Sequence, residues 1–370
     1  MNGYRGQAEA GISEAGPQVV RRTGRNVHLA ETVVFLDGLS GTGKTMMGPI
    51  LSSFDRVEVQ RMDHTYDYLC TMQFLGQIEP EAVVTLLRLH TDLVIYNAML
   101  GRESNFRWKD LSGVLNNPRG WRYLRRLLYP DGAPVIERIK QDRPVLQIHI
   151  HQLLGIAQPL FAAFGERLRY VEMVRHPLYL VDFWLSWSER FCNVPQDFNL
   201  WLQYGEAQLP WFVAGWEERY LASGPMDRTI YIIDSLTRRA EETLGAMDVG
   251  TRRRVLVIPF ERFVVDPEPY VGRLERLLGT GRTATTPGEL RRQKVPRKLW
   301  TDGRDVGVYR RYNWRPPTRD DSEEAERQRR WEAIARQASP EGMHVLERLC
   351  TEYKSRHLRE TSDAQPEGSV

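Results

Sequence analysis

Lysine is scarce in this sequence: only six of its 51 basic residues are lysine, and the rest are arginine. A lysine inside a phosphate-binding motif is therefore not explained by abundance. The formal net charge is only +3 over 370 residues. This is far from the strongly basic character typical of nucleic-acid-binding proteins, so no nucleic-acid partner is expected.

Cysteine is scarce as well, with Cys70, Cys192 and Cys350 standing at unrelated spacings. Three unspaced cysteines without a histidine cluster predict neither a disulfide framework nor a zinc site, so no metal is expected and a reducing compartment is favoured. The first 30 residues carry charges throughout and no apolar run, so no signal peptide is expected. No stretch approaches the roughly 18 apolar residues that span a bilayer. We therefore expect a cytoplasmic protein without a membrane span.

Short apolar runs alternate with helical patterns along the chain. Residues 32–36 form a continuous apolar run, which is typical of a strand buried on both faces. Further strands are expected at residues 57–59, 144–150, 168–174, 230–233 and 255–258, and helices at 45–54, 80–100, 153–164, 270–279 and 320–353. Strands that alternate with helices imply right-handed crossovers. The predicted fold class is α/β, a three-layer α/β/α sandwich with a central parallel sheet.

The predicted organisation is one domain with flanking segments. Residues 1–28 lack periodicity and are expected to form a flexible tail. The domain covers residues 29–318 with a helical insertion around 80–140, a helical segment covers 319–356, and a second tail covers 357–370. The sequence gives no indication of the oligomeric state.

A phosphate-binding loop follows the first predicted strand. Residues 38–45 read GLSGTGKT and match the pattern of Gly, four residues, Gly, Lys, then Ser or Thr. The glycines permit positive φ, so successive main-chain N–H groups can converge on one anion, and the following helix adds its dipole. Lys44 reaches the far end of a phosphate chain, and the Thr45 hydroxyl can coordinate Mg²⁺. The residues predicted to bind the cofactor here are Gly38, Ser40, Gly41, Thr42, Gly43, Lys44 and Thr45.

By itself this loop most resembles that of adenylylsulfate kinases and other small P-loop kinases. Other segments resemble sulfotransferases that use 3′-phosphoadenosine 5′-phosphosulfate (PAPS), and they occur in that family's order. Residues 40–42 match the sulfotransferase loop, and residues 170–177 (YVEMVRHP) resemble the strand that ends in the family's 3′-phosphate-binding arginine. Residues 255–279 resemble its next strand, its aromatic-Glu pair, its Asp-Pro-Glu and a helix ending in Leu-Leu-Gly.

The resemblance extends over residues 33 to about 310. It implies a P-loop nucleoside triphosphate hydrolase-like fold, which sulfotransferases share with nucleotide kinases. It also implies an enzyme that moves a sulfuryl group from PAPS to an acceptor hydroxyl, with no metal required. The acceptor is expected to be a glycan or a small hydroxylated metabolite. Trp184 and Trp187 follow the arginine strand and would either stack on such a ring or pack in the core.

Cofactor-binding residues outside the loop follow from the same resemblance. Arg175 takes the place of the family arginine, and a guanidinium fork suits the 3′-phosphate. The family's serine on the next helix corresponds to Phe183 here, so Ser186 is assigned to that role, with Ser188 as the other nearby serine.

A basic loop at residues 291–298 resembles the Arg-Lys-Gly segment that closes over the same phosphate, although no glycine follows Lys298 directly. This resemblance assigns Arg297 and Lys298 to the cofactor site. A merely solvated basic loop is the alternative.

Two residues are predicted to be catalytic. His149 and His151 stand near the end of the strand that precedes the arginine strand, where the family has a histidine, and His149 falls at the family position. A near-neutral pKa would let the imidazole take the acceptor's proton. Sulfotransferases usually carry a lysine or arginine just before Ser-Gly-Thr, where this chain has Leu39. We therefore expect Lys44 to serve from the other end of the loop.

Two alternatives stay open. An ATP- and Mg²⁺-dependent kinase of a small molecule is favoured by Gly43-Lys44-Thr45 and needs an acidic metal ligand at a strand end, for which Asp234 is the candidate unless it caps a helix. A nucleotide-binding regulatory module would bind the cofactor without turning over an acceptor.

Overall fold

A computed structural model of the chain describes residues 23–107, 110, 112–117, 119–190, 198–299 and 322–358. Its strands are β1 Thr32–Asp37, β2 Arg61–Met62, β3 Val145–His149, β4 Leu168–Val174, β5 Trp201–Tyr204, β6 Ala207–Pro210 and β7 Val255–Pro259. Five of them form a parallel sheet in the order β2-β3-β1-β4-β7. The other two, β5 and β6, form an antiparallel hairpin that the sequence patterns did not predict.

Helices flank this sheet. They are α1 Lys44–Ser52, α2 His64–Phe74, α3 Pro80–Leu100, α4 Trp121–Arg126, α5 Ala133–Asp142, α6 Gln158–Phe164, α7 Val181–Arg190, α8 Glu217–Ala222, α9 Pro225–Ala246, α10 Val249–Arg252, α11 Phe260–Val265, α12 Glu268–Leu278, α13 Thr286–Arg292, α14 Glu323–Ala335 and α15 Pro340–Tyr353. The predicted α/β class with a central parallel sheet is confirmed.

The central strand β1 sets the position of the site. Its residues 33–37 are fully buried, as expected for an apolar run that lies between two parallel neighbours. Leu36 pairs with His149 of β3, and Asp37 pairs with Glu172 of β4. Because the strands are parallel, their carboxyl ends meet at one edge of the sheet, where ligands of such sheets bind.

The strand predicted at residues 230–233 is wrong, because these residues lie inside the 22-residue helix α9. The buried residues of α9 recur with helical spacing, and three of them are Met226, Ile230 and Ile233. This long apolar stripe stabilises a helix against the core, so it outweighs the strand preference of a short β-branched run.

Three other predicted elements differ from the structure. The strand predicted at residues 57–59 is reduced to a single bridge between Val57 and Val145, and β2 begins only at Arg61. The helix predicted at 153–164 is a 3-10 turn, Leu154–Ile156, followed by α6. The helix predicted at 320–353 is divided into α14 and α15, and a proline occupies the first turn of α15, where it is tolerated because that N–H needs no helical partner.

Much of the two predicted tails lies outside the described residues, namely 1–22 and 359–370. The described residues before β1 run along α3, where Arg25 pairs with Asp92 at 2.6 Å and the main-chain N–H of Leu29 donates to the same carboxylate at 2.8 Å. Near the other end, Ile334 and Leu346 of the last two helices are buried in the same core as the sheet. The domain boundaries given above stay a prediction.

By length and composition α3 could cross a membrane, which corrects the expectation that no segment approaches that length. Half of its most apolar window is buried inside the protein. A core helix has the same length and composition, so this observation is weak support for a membrane span.

Candidate functional site

The glycine loop joins β1 to α1 and lies close to two other elements. Gly38 has φ 135° and Gly43 has φ 102°, a region that side-chain-bearing residues rarely adopt. A Cβ atom on Gly38 would meet the carbonyl oxygen of Met173 at 2.2 Å, and one on Gly43 would meet the Phe260 ring at 2.7 Å. Glycine at these two positions therefore allows both the loop conformation and its close approach to β4 and α11.

Hydrogen bonds fix the loop in this conformation. The Thr42 hydroxyl donates to the carbonyl oxygen of Leu39 at 2.7 Å, and the indole N–H of Trp184 donates to the carbonyl oxygen of Ser40 at 2.9 Å. Trp184 is 1% exposed and packs edge-on against Trp187. This tryptophan pair is thus core packing that also anchors the loop, rather than a stacking surface for an acceptor.

Lys44 begins α1 and its ammonium donates to the carbonyl oxygen of Gly38. Burial lowers the pKa of Lys44, and the negative charges of Asp37 and Glu172 oppose that shift. Burial raises the pKa of both carboxyl groups in turn, and Lys44 opposes this. The Asp37 carboxylate accepts the N–H groups of Leu153 and Leu154 at 2.7 and 2.9 Å. The lysine therefore lies in a buried charge cluster at the base of the loop.

Arg175 follows β4 and lies against the loop. Its Nη1 donates to the carbonyl oxygen of Gly41 at 2.9 Å, and its guanidinium carbon lies 4.4 Å from the centroid of the Phe260 ring. The residue is 8% exposed, and its buried Nε has no hydrogen-bond partner among the residues that the structure describes. A buried donor without a partner costs free energy unless a ligand supplies an acceptor.

Arg297 is brought to the same place from the other end of the chain. Its guanidinium carbon lies 5.4 Å from the Phe260 ring centroid, and its Nη2 is 3.8 Å from the sulfur of Met46 in α1. Main-chain contacts fix it, since its N–H donates to Val264 at 2.6 Å and its Nε to Lys294 at 3.0 Å. Two of the arginines predicted from the sequence thus flank one aromatic ring beside the loop.

The other predicted cofactor residues are less closely tied to this arginine pair. Lys298 is exposed, and Ser186 is half-buried on α7. The Phe183 ring lies 3.6 Å from the position of a Cβ on Gly41, so phenylalanine covers the loop at the place of the family's serine. Ser188 donates to the carbonyl oxygen of Leu185 at 2.9 Å. The role of Ser186 stays a prediction.

Glu261 fixes the wall behind Arg175. Its carboxylate accepts the main-chain N–H of His176 at 3.0 Å and the Tyr353 hydroxyl at 2.5 Å. Burial raises the pKa of Glu261, and the positive charge of Arg175 opposes this. Phe260 and Glu261, which resemble the aromatic-Glu pair of sulfotransferases, therefore have two functions. Phe260 contacts both arginines, and Glu261 joins the end of β4 to α15. This second function was not predicted, because Tyr353 is distant in sequence.

The two candidate histidines have different environments. His149 ends β3 and is 2% exposed, and within the described part of the chain its buried Nδ1 has no hydrogen-bond partner. Burial lowers the pKa of His149 well below its usual value, and the charges of His151 and Lys44 lower it further, so the near-neutral pKa expected from the sequence is wrong. The His151 side chain is 24% exposed, and its main-chain N–H donates to Asp67 at 2.9 Å. Asp67 lies on α2 within a pattern that has no distinguishing spacing, so it is not predictable from the sequence.

The acidic residue named for the kinase alternative is not at the sheet edge. Asp234 lies inside α9 and pairs with Arg348 of α15 at 2.7 Å. The expectation that it ends a strand is therefore wrong. Its carboxylate serves to join two helices.

A cavity of about 1410 Å³ opens beside the loop. Leu39, Thr42, Arg175, Glu261 and Tyr353 are among the residues that line it. It is larger than the roughly 300–1,000 Å³ of usual small-molecule sites, and of residues 38–45 only Leu39 and Thr42 line it.

Comparison with known proteins gives only distant likenesses. No model of a known protein family matches the chain, and no curated protein matches it. Among solved structures, it is similar to the sulfotransferase domain from the curacin biosynthetic pathway, at 11% identity over 90% of this chain and 99% of that chain, with TM-score 0.43.

Two further solved structures are similar at the same identity. The sulfotransferase domain from the Synechococcus PCC 7002 olefin synthase matches at 11% identity over 85% of this chain and 98% of that chain, with TM-score 0.38. A sulfotransferase from Mycobacterium tuberculosis H37Rv matches at 11% identity over 70% of each chain, with TM-score 0.35. These likenesses are too distant to assign the chain to a family.

Proposed function

We propose that this protein transfers a sulfuryl group from PAPS to an acceptor hydroxyl. The observation that carries the proposal is the placement of Arg175 and Arg297 on one ring, Phe260, directly beside the glycine loop. PAPS has two separate anionic groups, the 5′-phosphosulfate and the 3′-phosphate. A loop of main-chain N–H groups suits the first, and a guanidinium pair suits the second.

Each part of the site has a role in the proposed reaction. The acceptor oxygen forms a bond to sulfur while the bond from sulfur to the bridging phosphate oxygen breaks, in line and through a loose transition state. Adenosine 3′,5′-bisphosphate leaves with the bonding pair and carries the developing charge. Lys44 and the loop N–H groups stabilise that charge, since such donors act strongly where water is excluded.

His149 is the proposed base that takes the acceptor proton. Burial and the charge of Lys44 keep it neutral, which a base requires, and its Nδ1 lacks a partner among the described residues. A buried ring nitrogen without a partner is favourable only if a ligand completes its hydrogen bonding. His151 is the second candidate, because it is more exposed and contacts Asp67.

The kinase alternative is retained because of Gly43-Lys44-Thr45, whose hydroxyl can coordinate Mg²⁺. Asp234, the candidate metal ligand of that kinase, pairs instead with Arg348 of α15. Asp234 is therefore not placed to hold a metal for the kinase, whereas the sulfuryl-transfer proposal calls for none.

Titration of adenosine 3′,5′-bisphosphate and of ATP, each with Mg²⁺ and with a chelator, separates the two proposals. We expect the bisphosphate to bind more tightly than ATP, by about tenfold or more for one additional charge-assisted contact, and equally well with the chelator. Calorimetry measures this without knowledge of the acceptor. A clear preference for Mg-ATP would overturn sulfuryl transfer in favour of the kinase.

A further inference from the structure

Three potential metal ligands converge next to the site just described. His64 follows β2 and begins α2, Asp67 lies one turn further along α2, and His151 follows β3. One ligand atom from each residue lies within 4.8 Å of the other two. His64 and Asp67 lie on the helix that follows β2, and His151 follows β3, the strand next to β2, so the sheet edge brings them together.

The distances within this cluster are those of a coordination site. His64 Nδ1 and His151 Nδ1 lie 3.6 and 3.5 Å from the same oxygen, Asp67 Oδ2. Both distances exceed the 2.7–3.2 Å of a good N–H···O hydrogen bond. A tetrahedral zinc ion with bonds of about 2.0–2.2 Å separates its ligand atoms by about 3.3–3.6 Å. His151 Nδ1 makes a long hydrogen bond to Asp67 Oδ2 at 3.5 Å, and the spacing of both ring nitrogens from this oxygen also fits a shared ion.

The surroundings of the three ligands support this assignment. The other carboxylate oxygen, Asp67 Oδ1, accepts the main-chain N–H of His151 at 2.9 Å, which orients the carboxylate toward the two imidazoles. Asp63 caps the start of α2 by accepting the N–H of Thr65 at 3.0 Å, so the helix turn that carries two of the ligands is itself fixed. Such outer contacts are a regular feature of metal sites in proteins.

A small cavity adjoins the three ligands. A cavity of about 10 Å³ is lined by His64, Asp67, Tyr68, His151 and other residues. A volume of about 10–15 Å³ is the minimum that holds one water molecule. The side chains of the three ligands are 37%, 14% and 24% exposed, so an ion reaches them from solvent.

We infer that His64, Asp67 and His151 bind one divalent transition-metal ion of the zinc type. Two imidazoles and one carboxylate suit Zn²⁺ and its neighbours rather than Mg²⁺, which prefers oxygen ligands. Three protein ligands leave the fourth position for an exogenous oxygen, as in catalytic zinc sites. The inference does not depend on sulfuryl transfer. An ion on His151 would leave His149 as the histidine available for proton transfer.

Metal binding by the purified full chain tests this inference. The protein is freed of any affinity tag, treated with chelator, dialysed, and titrated with Zn²⁺ by calorimetry and with Co²⁺ by visible absorption. We expect one equivalent to bind and Co²⁺ to give the intense absorption of a tetrahedral site. Absence of saturable binding would overturn the inference.

Three substitutions locate the site: His64→Gln, Asp67→Asn and His151→Gln. Each is expected to weaken Zn²⁺ binding by more than the roughly 10–100-fold that loss of an outer contact costs. The control is His344→Gln, because His344 is an exposed histidine on α15. If the three variants bind Zn²⁺ like the control, the ion is elsewhere and the inference is wrong.

Two further measurements separate loss of the metal site from misfolding and from failure of the proposed function. Circular dichroism of each metal-free variant establishes folding, and Asp67→Asn retains an oxygen that can accept the His151 N–H, so it is the variant that best preserves the fold. Bisphosphate titration on the same metal-free samples tests the proposed function separately. For the wild-type chain, normal bisphosphate binding without saturable Zn²⁺ binding would overturn only the metal site, and saturable Zn²⁺ binding without bisphosphate binding would overturn only sulfuryl transfer.

Discussion

Arg175 donates a hydrogen bond from Nη1 to the carbonyl oxygen of Gly41, 2.9 Å away. The contact joins the end of β4 to the glycine loop that follows β1. An anion held by the guanidinium and an anion held by the loop would therefore occupy positions fixed relative to each other. This arrangement suits one ligand with two charged ends.

The first prediction concerns that arginine. Arg175→Ala should weaken adenosine 3′,5′-bisphosphate binding by about 10–100-fold, since hydrogen bonds to charged groups are worth about 1.5–3 kcal/mol. The affinity for adenosine 5′-phosphate should fall much less, because this nucleotide has no 3′-phosphate. Calorimetric titration of both nucleotides measures the difference.

Matched variants sharpen this comparison. Arg276→Ala removes an exposed arginine on α12 and should change neither affinity. Arg175→Lys should not restore the bisphosphate affinity, because a lysine cannot make the planar two-pronged contact. Equal losses for both nucleotides in Arg175→Ala would place the arginine outside the 3′-phosphate site.

The fold was predictable where local patterns agree with the tertiary structure. The apolar run before Gly38 and the run at 168–174 are buried strands, as predicted. The Ile230–Ile233 segment was misassigned because four residues cannot distinguish a buried strand from one turn of a long helix. Neither strand of the hairpin of β5 and β6 alternates between buried and exposed residues, so no period-two pattern predicts it.

The candidate site was predictable in part for a similar reason. Residues 38–45 and Arg175 follow from short motifs, because the chemistry resides in contiguous residues. The resemblance assigned Arg297 to the cofactor site but did not predict its contact with Phe260, since the two are 37 positions apart and only the tertiary fold joins them. His64 and Asp67 carried no signal of their own, because their pairing with His151 depends on the order of the strands.

A second prediction concerns the buried ion pair between Glu58 and Arg126, whose contacts are 2.6 and 2.8 Å. Arg126→Leu should destabilise the protein by up to about 3–5 kcal/mol, because it leaves the buried carboxylate with only the longer Arg122 contact at 3.5 Å. Arg126 and Arg122 hold the pKa of Glu58 at about 2, despite the opposing effect of burial. The pair's stabilisation is therefore present above the carboxyl group's usual pKa of 4.5 and is lost as the pH falls toward 2.

Urea unfolding at pH 7 and at pH 3 measures this contribution. The difference in the free energy of unfolding between wild type and Arg126→Leu should be smaller at pH 3 than at pH 7, because Glu58 begins to gain a proton there. Lys140→Ala breaks an exposed pair with Glu137 and should cost less than about 1 kcal/mol at either pH. A difference for Arg126→Leu that does not change with pH would contradict the assignment to Glu58.

A third prediction concerns Lys44. Lys44→Met should lower turnover by about 10²–10³, the usual cost of removing one donor to a developing negative charge. The affinity for the bisphosphate should fall less, because the loop N–H groups remain. Lys140→Met, which alters an exposed lysine on α5, is the control. Equal losses in turnover and affinity would indicate that Lys44 only binds the donor.

A fourth prediction distinguishes the two histidines. His149→Gln should lower turnover by about 10²–10⁴, the usual contribution of a general base, with the bisphosphate affinity unchanged. A base must be neutral, and burial lowers the pKa of His149 well below 6.5. The acidic fall of the pH–rate profile should therefore lie well below pH 6.5, since activity is lost only as the pH drops through the lowered pKa. If His149→Gln keeps its turnover while His151→Gln loses it, His151 is the base.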